Sequence, residues 1–286
     1  MSGAVLDSQS LKGDQKRDWD LAATGWRKWW PVFEKAAQHV SDRLVELAGI
    51  KPGDRVLDIA TGNGEPAVTA ARRVGPAGRV VASDQSAGML AIAAERAAAL
   101  GIANIDFRES DAESLSLSER DFDAVVCRWG FMFMPDLGAA LSGIRGRMKP
   151  GARLATAVWS TPEKVPMITV GAAIVRKLAN LPPPPPNALD PLRLANTSIL
   201  EGALTAAGFK AVTIERLQVV FEFESAAAFT QFRCEVSAPF RALLERQTPA
   251  LREQIINAVT EAAGVYTGAD GKLRTSNETI LFAASN

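Results

Sequence analysis

The stretch VLDIATGNGEPA, residues 56–67, constrains this chain more than any other. Val56, Leu57 and Ile59 around Asp58 read as a buried strand, Thr61-Gly62-Asn63-Gly64 as a tight turn, and Glu65-Pro66 as the opening of a helix. Glycines at 62 and 64 remove Cβ where the backbone bends sharply and where a ligand can come close. The helix that follows presents unpaired N–H groups to that ligand. A strand, a glycine turn and a helix in this order make a floor for a nucleotide or nucleoside.

The turn alone leaves the nucleotide open. Gly62, Gly64 and Ala67 satisfy G-x-G-x-x-A, and Asp84 follows about 20 residues on, as in dinucleotide-binding folds. Two carboxylates point elsewhere. Asp58 would repel a nearby pyrophosphate but suits a ligand carrying an ammonium or sulfonium, and Glu65 adds a second negative charge. Each also has a structural alternative: Glu65 can complement the helix dipole, and Asp58 can bond the N–H groups of the turn.

Composition narrows the class. An apolar fraction of 47% is ample for a core, and 32 basic against 32 acidic residues give a net charge of zero. No polyanion-binding surface is expected, so nucleic acid is not an expected partner. Cys127 and Cys234 lack metal-type spacing and read as core residues of a reduced protein, with no metal site. The first twenty residues are too mixed for a signal peptide or a membrane span, which makes a cytoplasmic location the expectation.

Along the chain, residues 1–17 look loosely structured. Trp19, Trp26, Trp29 and Trp30 then crowd four of the six tryptophans into a dozen positions. They read either as helix-docking residues or as an aromatic wall over a substrate. From Pro31 to Gly49 the apolar spacing predicts an amphipathic helix. Strands are predicted at 79–84, over IDFRES, over FDAVVCRWG (122–130) and over ARLATAVW, with helices between them. This alternation predicts βαβ units and a largely parallel, doubly wound α/β sheet. FMFMPD follows the fourth strand, where residues line the crevice of such a sheet. After residue 160 come an apolar helical segment (165–181) and a five-proline run (182–186) read as a spacer. A helix over 198–209 and the strand VTIERLQVVFEF follow. Next is a helical stretch broken by Pro239, then a helix with Thr248 as N-cap and Gly264 at its end. ETILFAAS makes a last strand near 278–284. The expected organisation is a helical cap segment over 1–49 and one α/β unit over 50–286, with cap insertions at about 160–196 and 225–265.

Five stretches in order, VLDIATGNGE, ASDQSAGML, ESDAESL, FDAVVCRWGFMFMPD and MKPGARL, resemble the motifs of class I methyltransferases that use S-adenosylmethionine. The resemblance is to the ubiquinone/menaquinone-biosynthesis-like small-molecule branch and covers roughly residues 50–160. Ala60 and Ala152 stand where the pattern has glycine, so a slightly reshaped turn is expected. The resemblance implies a seven-stranded, mostly parallel Rossmann-like sheet with an antiparallel last strand. It also implies methyl transfer to an apolar or aromatic small-molecule acceptor, with O- or C-methylation favoured. In that reading Asp58, Ala60, Gly62 and Gly64 surround the methionine part of S-adenosylmethionine. Asp84 takes the ribose hydroxyls, Gln85 and Met89 lie beside the adenine, and Asp111 with the Ala112 backbone receives the adenine edge. Arg128 and Trp129 pass below the sulfonium.

Trp26, Trp29, Trp30 and Phe131 are the candidate acceptor wall. His39, the only histidine, is the candidate base, with Arg128 and Trp129 aligning the acceptor; Tyr266 and Glu235 are weaker base candidates. A hydrogen-bonded helix residue is the plainer role for His39. Two other functions stay open: an NAD(P)-dependent oxidoreductase, although no Tyr-x-x-x-Lys constellation is present, and a non-methylating S-adenosylmethionine-binding enzyme such as a cyclase. The oligomeric state is open, a homodimer included.

Overall fold

Apolar runs too continuous for a half-solvated sheet are explained by central strands buried on both faces. In the computed structural model, which describes residues 8–181 and 190–286, they belong to one sheet of seven strands. They are β1 (Arg55–Ile59), β2 (Arg79–Asp84), β3 (Ile105–Glu109), β4 (Phe122–Arg128), β5 (Met148–Trp159), β6 (Lys210–Phe223) and β7 (Leu273–Ser285), in the order β3-β2-β1-β4-β5-β7-β6. Every pairing from β3 to β5 is parallel, and β7 runs antiparallel between β5 and β6. The chain leaves β1 toward β2 on one side and returns to β4 on the other. The crevice outside the carboxyl ends of β1 and β4 is therefore the topological switch point, where ligands of open α/β sheets bind.

Helix α1 departs most from expectation. It runs without interruption over Ser8–Leu47, forty residues and about 60 Å at 1.5 Å per residue. Over residues 8–17 the expected loose segment is helix, residues 1–7 lying outside the described residues, and a start at Pro31 is not found, because Pro31 lies inside the helix. Pro31 cannot donate the N–H of its turn, a defect of about 3 kcal/mol in an isolated helix. Packing on both sides offsets this: Ala22, Ala23, Phe33, Ala37, Val40 and Leu44 are buried. The first half is also tied to distant elements. Lys12 pairs with Asp111, Lys16 with Glu109 and Arg27 with Glu95, while Asp20 accepts from the Ser86 hydroxyl and the Gly88 N–H. Those partners lie 66 to 99 residues away, beyond any local periodicity.

The remaining helices are α2 (Ala67–Val74), α3 (Ala87–Ala99), α4 (Leu137–Arg145), α5 (Pro166–Thr169), α6 (Ala172–Leu178), α7 (Thr197–Ala206), α8 (Ala226–Val236), α9 (Ala238–Glu245) and α10 (Pro249–Ala263). Thr248 caps α10 as expected, accepting from the Leu251 N–H at 3.3 Å. Helices α6, α9 and α10 share an apolar cluster of Val175, Phe240, Leu244, Ile255 and Val259. Helix α8 crosses α1 at Gly25, where an added Cβ would lie 2.1 Å from the Glu235 carbonyl oxygen; only glycine allows that approach. The five-proline run lies outside the described residues. Among the described residues no helix is long and apolar enough to cross a membrane.

One buried ion pair fixes α1 on the sheet. Arg128, at the end of β4, donates from Nη2 to Glu34 Oε1 at 2.6 Å and from Nη1 to Glu34 Oε2 at 3.1 Å. It also donates to the Ser41 hydroxyl at 2.9 Å. Removing either charge leaves the other buried without a counter-ion. Glu34→Leu or Arg128→Met alone should cost about 3–5 kcal/mol, and the double variant distinctly less than the sum. Urea denaturation of the four proteins measures this; additive losses would mean that the pair is not coupled.

Candidate functional site

The glycine turn is built by carboxylates on its protein side. Asp58, with no exposure, accepts from the Thr61 hydroxyl at 2.6 Å and from the Ala67 N–H at 2.9 Å. Asp84 accepts from the Gly62 N–H and the Ser86 N–H, each at 2.9 Å. Strand β1 and helix α2 are thus held at a fixed separation, with the turn between them. Ala60 takes the left-handed conformation at φ 54°, a cost of about 1–2 kcal/mol for a residue with Cβ. This is the reshaping that the missing glycine predicts. Its methyl group has room because residue 130 is glycine: a Cβ there would lie 2.6 Å from Ala60 Cβ and 2.7 Å from Cys127 Sγ.

Above the turn lies a cavity of about 1050 Å³ with three walls. The sheet edge supplies residues 60–63, Glu65, Asp84, Gln85, Met89, residues 110–113, residues 128–130 and Trp159. Helix α1 supplies Lys12, Gln15, Trp19, Trp26 and Phe33. The third wall, largely apolar, comes from residues 132–135 and from α5, α6, α8 and α9, including Met167, Ile168, Val175, Phe232, Val236 and Phe240. At its centre the Trp129 and Trp159 rings stack at 4.3 Å and 10°, with Phe33 edge-on to Trp129 at 5.5 Å. Trp129 is held there by its Nε1–H, which donates to the Thr279 hydroxyl at 2.9 Å.

The crevice gathers Ala60, Gly62, Asp84, Gln85, Met89, Asp111, Ala112, Arg128, Trp129 and Trp26. Other candidates lie elsewhere. Asp58 sits behind the turn, and Gly64 faces α3, its Cβ position 3.3 Å from Ala93 Cβ. Trp29 turns toward Phe223, Phe232 and the Glu235 carboxylate, and Trp30 lies against the Arg96 guanidinium at 4.6 Å. Helical spacing puts both beside Trp26, but their rings are taken up by neighbouring elements, Trp29 by β6 and α8 and Trp30 by Arg96 of α3. Phe131 is fully buried; the 3₁₀ turn 131–133 rotates Met132 and Phe133 toward the cavity in its place. His39 is exposed and bonds the Gln218 carbonyl at 2.9 Å, so its place is that of a hydrogen-bonded helix residue outside the cavity. Tyr266 and Glu235 do not line the cavity either, Glu235 being engaged by Lys28, Trp29 and Gln231. Arg128 does line it, but its guanidinium is occupied by Glu34 and Ser41.

Lys12, Trp19, Phe33, Trp159 and Arg233 are cavity residues absent from the candidates. Trp159 was available to a reading of the sequence as the aromatic end of β5. Lys12 was hidden in a segment with no apolar period.

The electrostatics separate two regions. Partial burial pushes the Asp111 carboxyl up, but the Lys12 ammonium and the Glu113 N–H outweigh it and hold Asp111 below its ordinary range. Burial pushes the Asp84 carboxyl up, against the N–H groups of Ser86 and Gly62. Four polar atoms around the turn are buried without a partner among the described residues: Asp58 Oδ1, Asn63 Nδ2, Trp26 Nε1 and Arg96 Nε. Buried polar atoms are normally paired, so the turn holds an acceptor and donors in reserve.

Residues 56–151 match the family described as "Methyltransferase domain". The ubiquinone/menaquinone biosynthesis C-methyltransferase of Pseudomonas putida is 35% identical over 159 residues, 55% of this chain and 57% of the relative. That of Teredinibacter turnerae is 35% identical over 160 residues, covering 56% and 59%. The chain thus spans less than two thirds of the curated relatives it matches. Among solved structures, phosphoethanolamine N-methyltransferase 2 of Haemonchus contortus superposes with a TM-score of 0.58 at 17% identity, covering 100% of this chain and 61% of that one. The [4+2]-cyclase SpnF superposes at 0.53 and 20%, covering 93% and 95%. Likeness at such identity shows the fold.

Residues 56–151 thus form a methyltransferase domain, and the sheet order and glycine turn agree with the class I S-adenosylmethionine-dependent enzymes. Over little more than half its length the chain is similar to ubiquinone/menaquinone biosynthesis C-methyltransferases. The turn fits the cofactor of the class: a glycine floor, unpartnered buried donors and acceptor, and carboxylates at the ends of β2 and β3.

Burial pushes the Asp58 carboxyl from 3.8 up to about 8, the Thr61 hydroxyl only partly opposing it. A carboxyl raised on folding keeps its proton in the native state and loses it in the unfolded one between those values. Its contribution to stability therefore falls as pH rises from 4 to 8, by at most about 1.4 kcal/mol per pH unit. Asp58→Asn should flatten that decline. Urea denaturation at several pH values checks this; an unchanged slope in the variant would assign the decline to other groups.

Proposed function

We propose that the protein transfers a methyl group from S-adenosylmethionine to a carbon or oxygen atom of an apolar or aromatic small molecule. The observation that carries this reading is one cavity in which the glycine turn and the stacked Trp129–Trp159 pair continue into an apolar wall of cap helices. In this reading Ala60, Gly62 and Asn63 hold the methionine part, and Asp58 supports the turn from behind through Thr61 and Ala67. Asp84 accepts the ribose hydroxyls, Gln85 and Met89 flank the adenine, and Asp111 with Ala112 takes the adenine edge. Lys12 already engages Asp111, so α1 closes over that end.

When bound, S-adenosylmethionine supplies an electrophilic methyl group on a good leaving centre. The chain's part is placement. Trp129, Trp159 and Phe33 present flat apolar faces that orient an acceptor and exclude water, and alignment at near-attack distance carries most of the acceleration. Arg128 acts at one remove, fixing Phe33 and Trp129 through its contacts with both rings and with Glu34. No histidine or tyrosine lines the cavity among the described residues, which favours acceptors that need no strong base.

Calorimetric titration should show binding of S-adenosylmethionine and none of NADH; tight NADH binding without response to the sulfonium ligand would overturn the proposal. Asp84→Ala should weaken S-adenosylmethionine binding by about 1.5–3 kcal/mol, part of it through the Gly62 N–H that Asp84 holds. A screen of acceptors with labelled methyl donor then separates methyl transfer from other chemistry on this fold. With an acceptor in hand, His39→Ala should leave the pH profile unchanged. Loss of a limb near the histidine range in that variant would restore His39 as the base.

A further inference from the structure

The cap wall holds a buried cation that no carboxylate among the described residues neutralises. Arg233, on the cavity face of α8 between Phe232 and Val236, is 9% exposed and lines the cavity. Its Nη2 donates to the Ile168 carbonyl at 3.2 Å, its guanidinium lies 5.8 Å from the Phe240 ring centre, and its Nε is buried without a partner. No carboxylate pairs with it among the described residues. Lys12 and Arg128, on the other two walls, differ: Lys12 meets Asp111 and Glu113, and Arg128 meets Glu34 on two atoms.

A guanidinium is costly to bury without a counter-ion. Burial pushes the Arg233 guanidinium down to about 10, still protonated at neutral pH. A single backbone carbonyl could be satisfied by any neutral donor, so the bond to Ile168 does not account for a charge at this position. Both Nε–H and Nη–H lie along one edge of a guanidinium, the pairing that a carboxylate takes. This guanidinium matches one carboxylate; Arg176, the other arginine on this wall, has interactions of its own.

We infer that the acceptor carries a single carboxylate, which pairs with Arg233 inside the cavity while its apolar body lies against Phe232, Val236 and Phe240. This rests on the proposed reading that the cap wall receives the acceptor, and it adds the chemical class: an apolar or aromatic acid.

The test is calorimetric titration of the full chain, saturated with S-adenosylhomocysteine, with octanoate and with 1-octanol at neutral pH. The expected result is at least tenfold tighter binding of octanoate. Arg233→Gln should bring octanoate to the level of octanol without changing octanol, and Arg233→Lys should keep part of the preference. Equal affinities in the wild type, or a preference that survives Arg233→Gln, would overturn the carboxylate site and leave the apolar acceptor reading standing. If neither probe binds while S-adenosylhomocysteine does, the acceptor reading fails and this inference fails with it. Should Arg233→Gln not fold, the wild-type comparison with Arg233→Lys still decides.

Discussion

The ion pair between Arg128 and Glu34 is the contact on which the crevice depends. It joins the end of a central strand to the middle of α1 in a place with almost no water, where its two hydrogen bonds leave little freedom of position. From that point the helix runs along the open edge of the sheet and sets Phe33, Trp26, Trp19 and Lys12 over the site. The same pairing withdraws Arg128 from direct work on a ligand. A residue at the end of β4 that looks catalytic by its place in the strand is here part of the frame.

The sheet was legible in the sequence because its signals are local. Continuous apolar runs ending in Asp84 or Arg128, glycine turns, and helices between them give strand order once handedness is allowed for. Asp84 and Asp111 reach the crevice because strand ends are placed by the sheet itself, and Met89 because α3 starts directly after β2. The misplacements share one cause, which is rotation about an axis that sequence spacing leaves undefined. Trp26 and Trp29 differ by three positions, yet Gly25 fixes how α1 sits on α8 and sends one ring inward and the other to Phe232. At Phe131 a short 3₁₀ turn shifts the inward face by a residue. Lys12 could not be read at all, because its partners lie on another strand end.

The two ends of the cavity differ in how they treat charge. Near the turn, carboxylates are matched by N–H groups and by Lys12, which suits a ligand that is polar along its length. Under the cap helices apolar side chains dominate. On the proposed reading the acceptor meets α5, α6, α8 and α9, outside the sheet that carries the glycine turn.

Helix α1 is held in two physically different ways along its length. Its second half is anchored by burial and by the dry pair at Glu34, whereas the first half adds to the packing of Ala22 and Ala23 three ion pairs, of Lys12, Lys16 and Arg27, each facing a carboxylate with water close by. Dissolved ions weaken pairs of the second kind and barely touch the first, since the screening length falls from about 10 Å at 0.1 M to about 3 Å at 1 M. Salt therefore falls unevenly along one helix: each exposed pair is worth about 0–1 kcal/mol and fades with added ions, while Ala22, Ala23 and the Glu34 pair keep the helix in place.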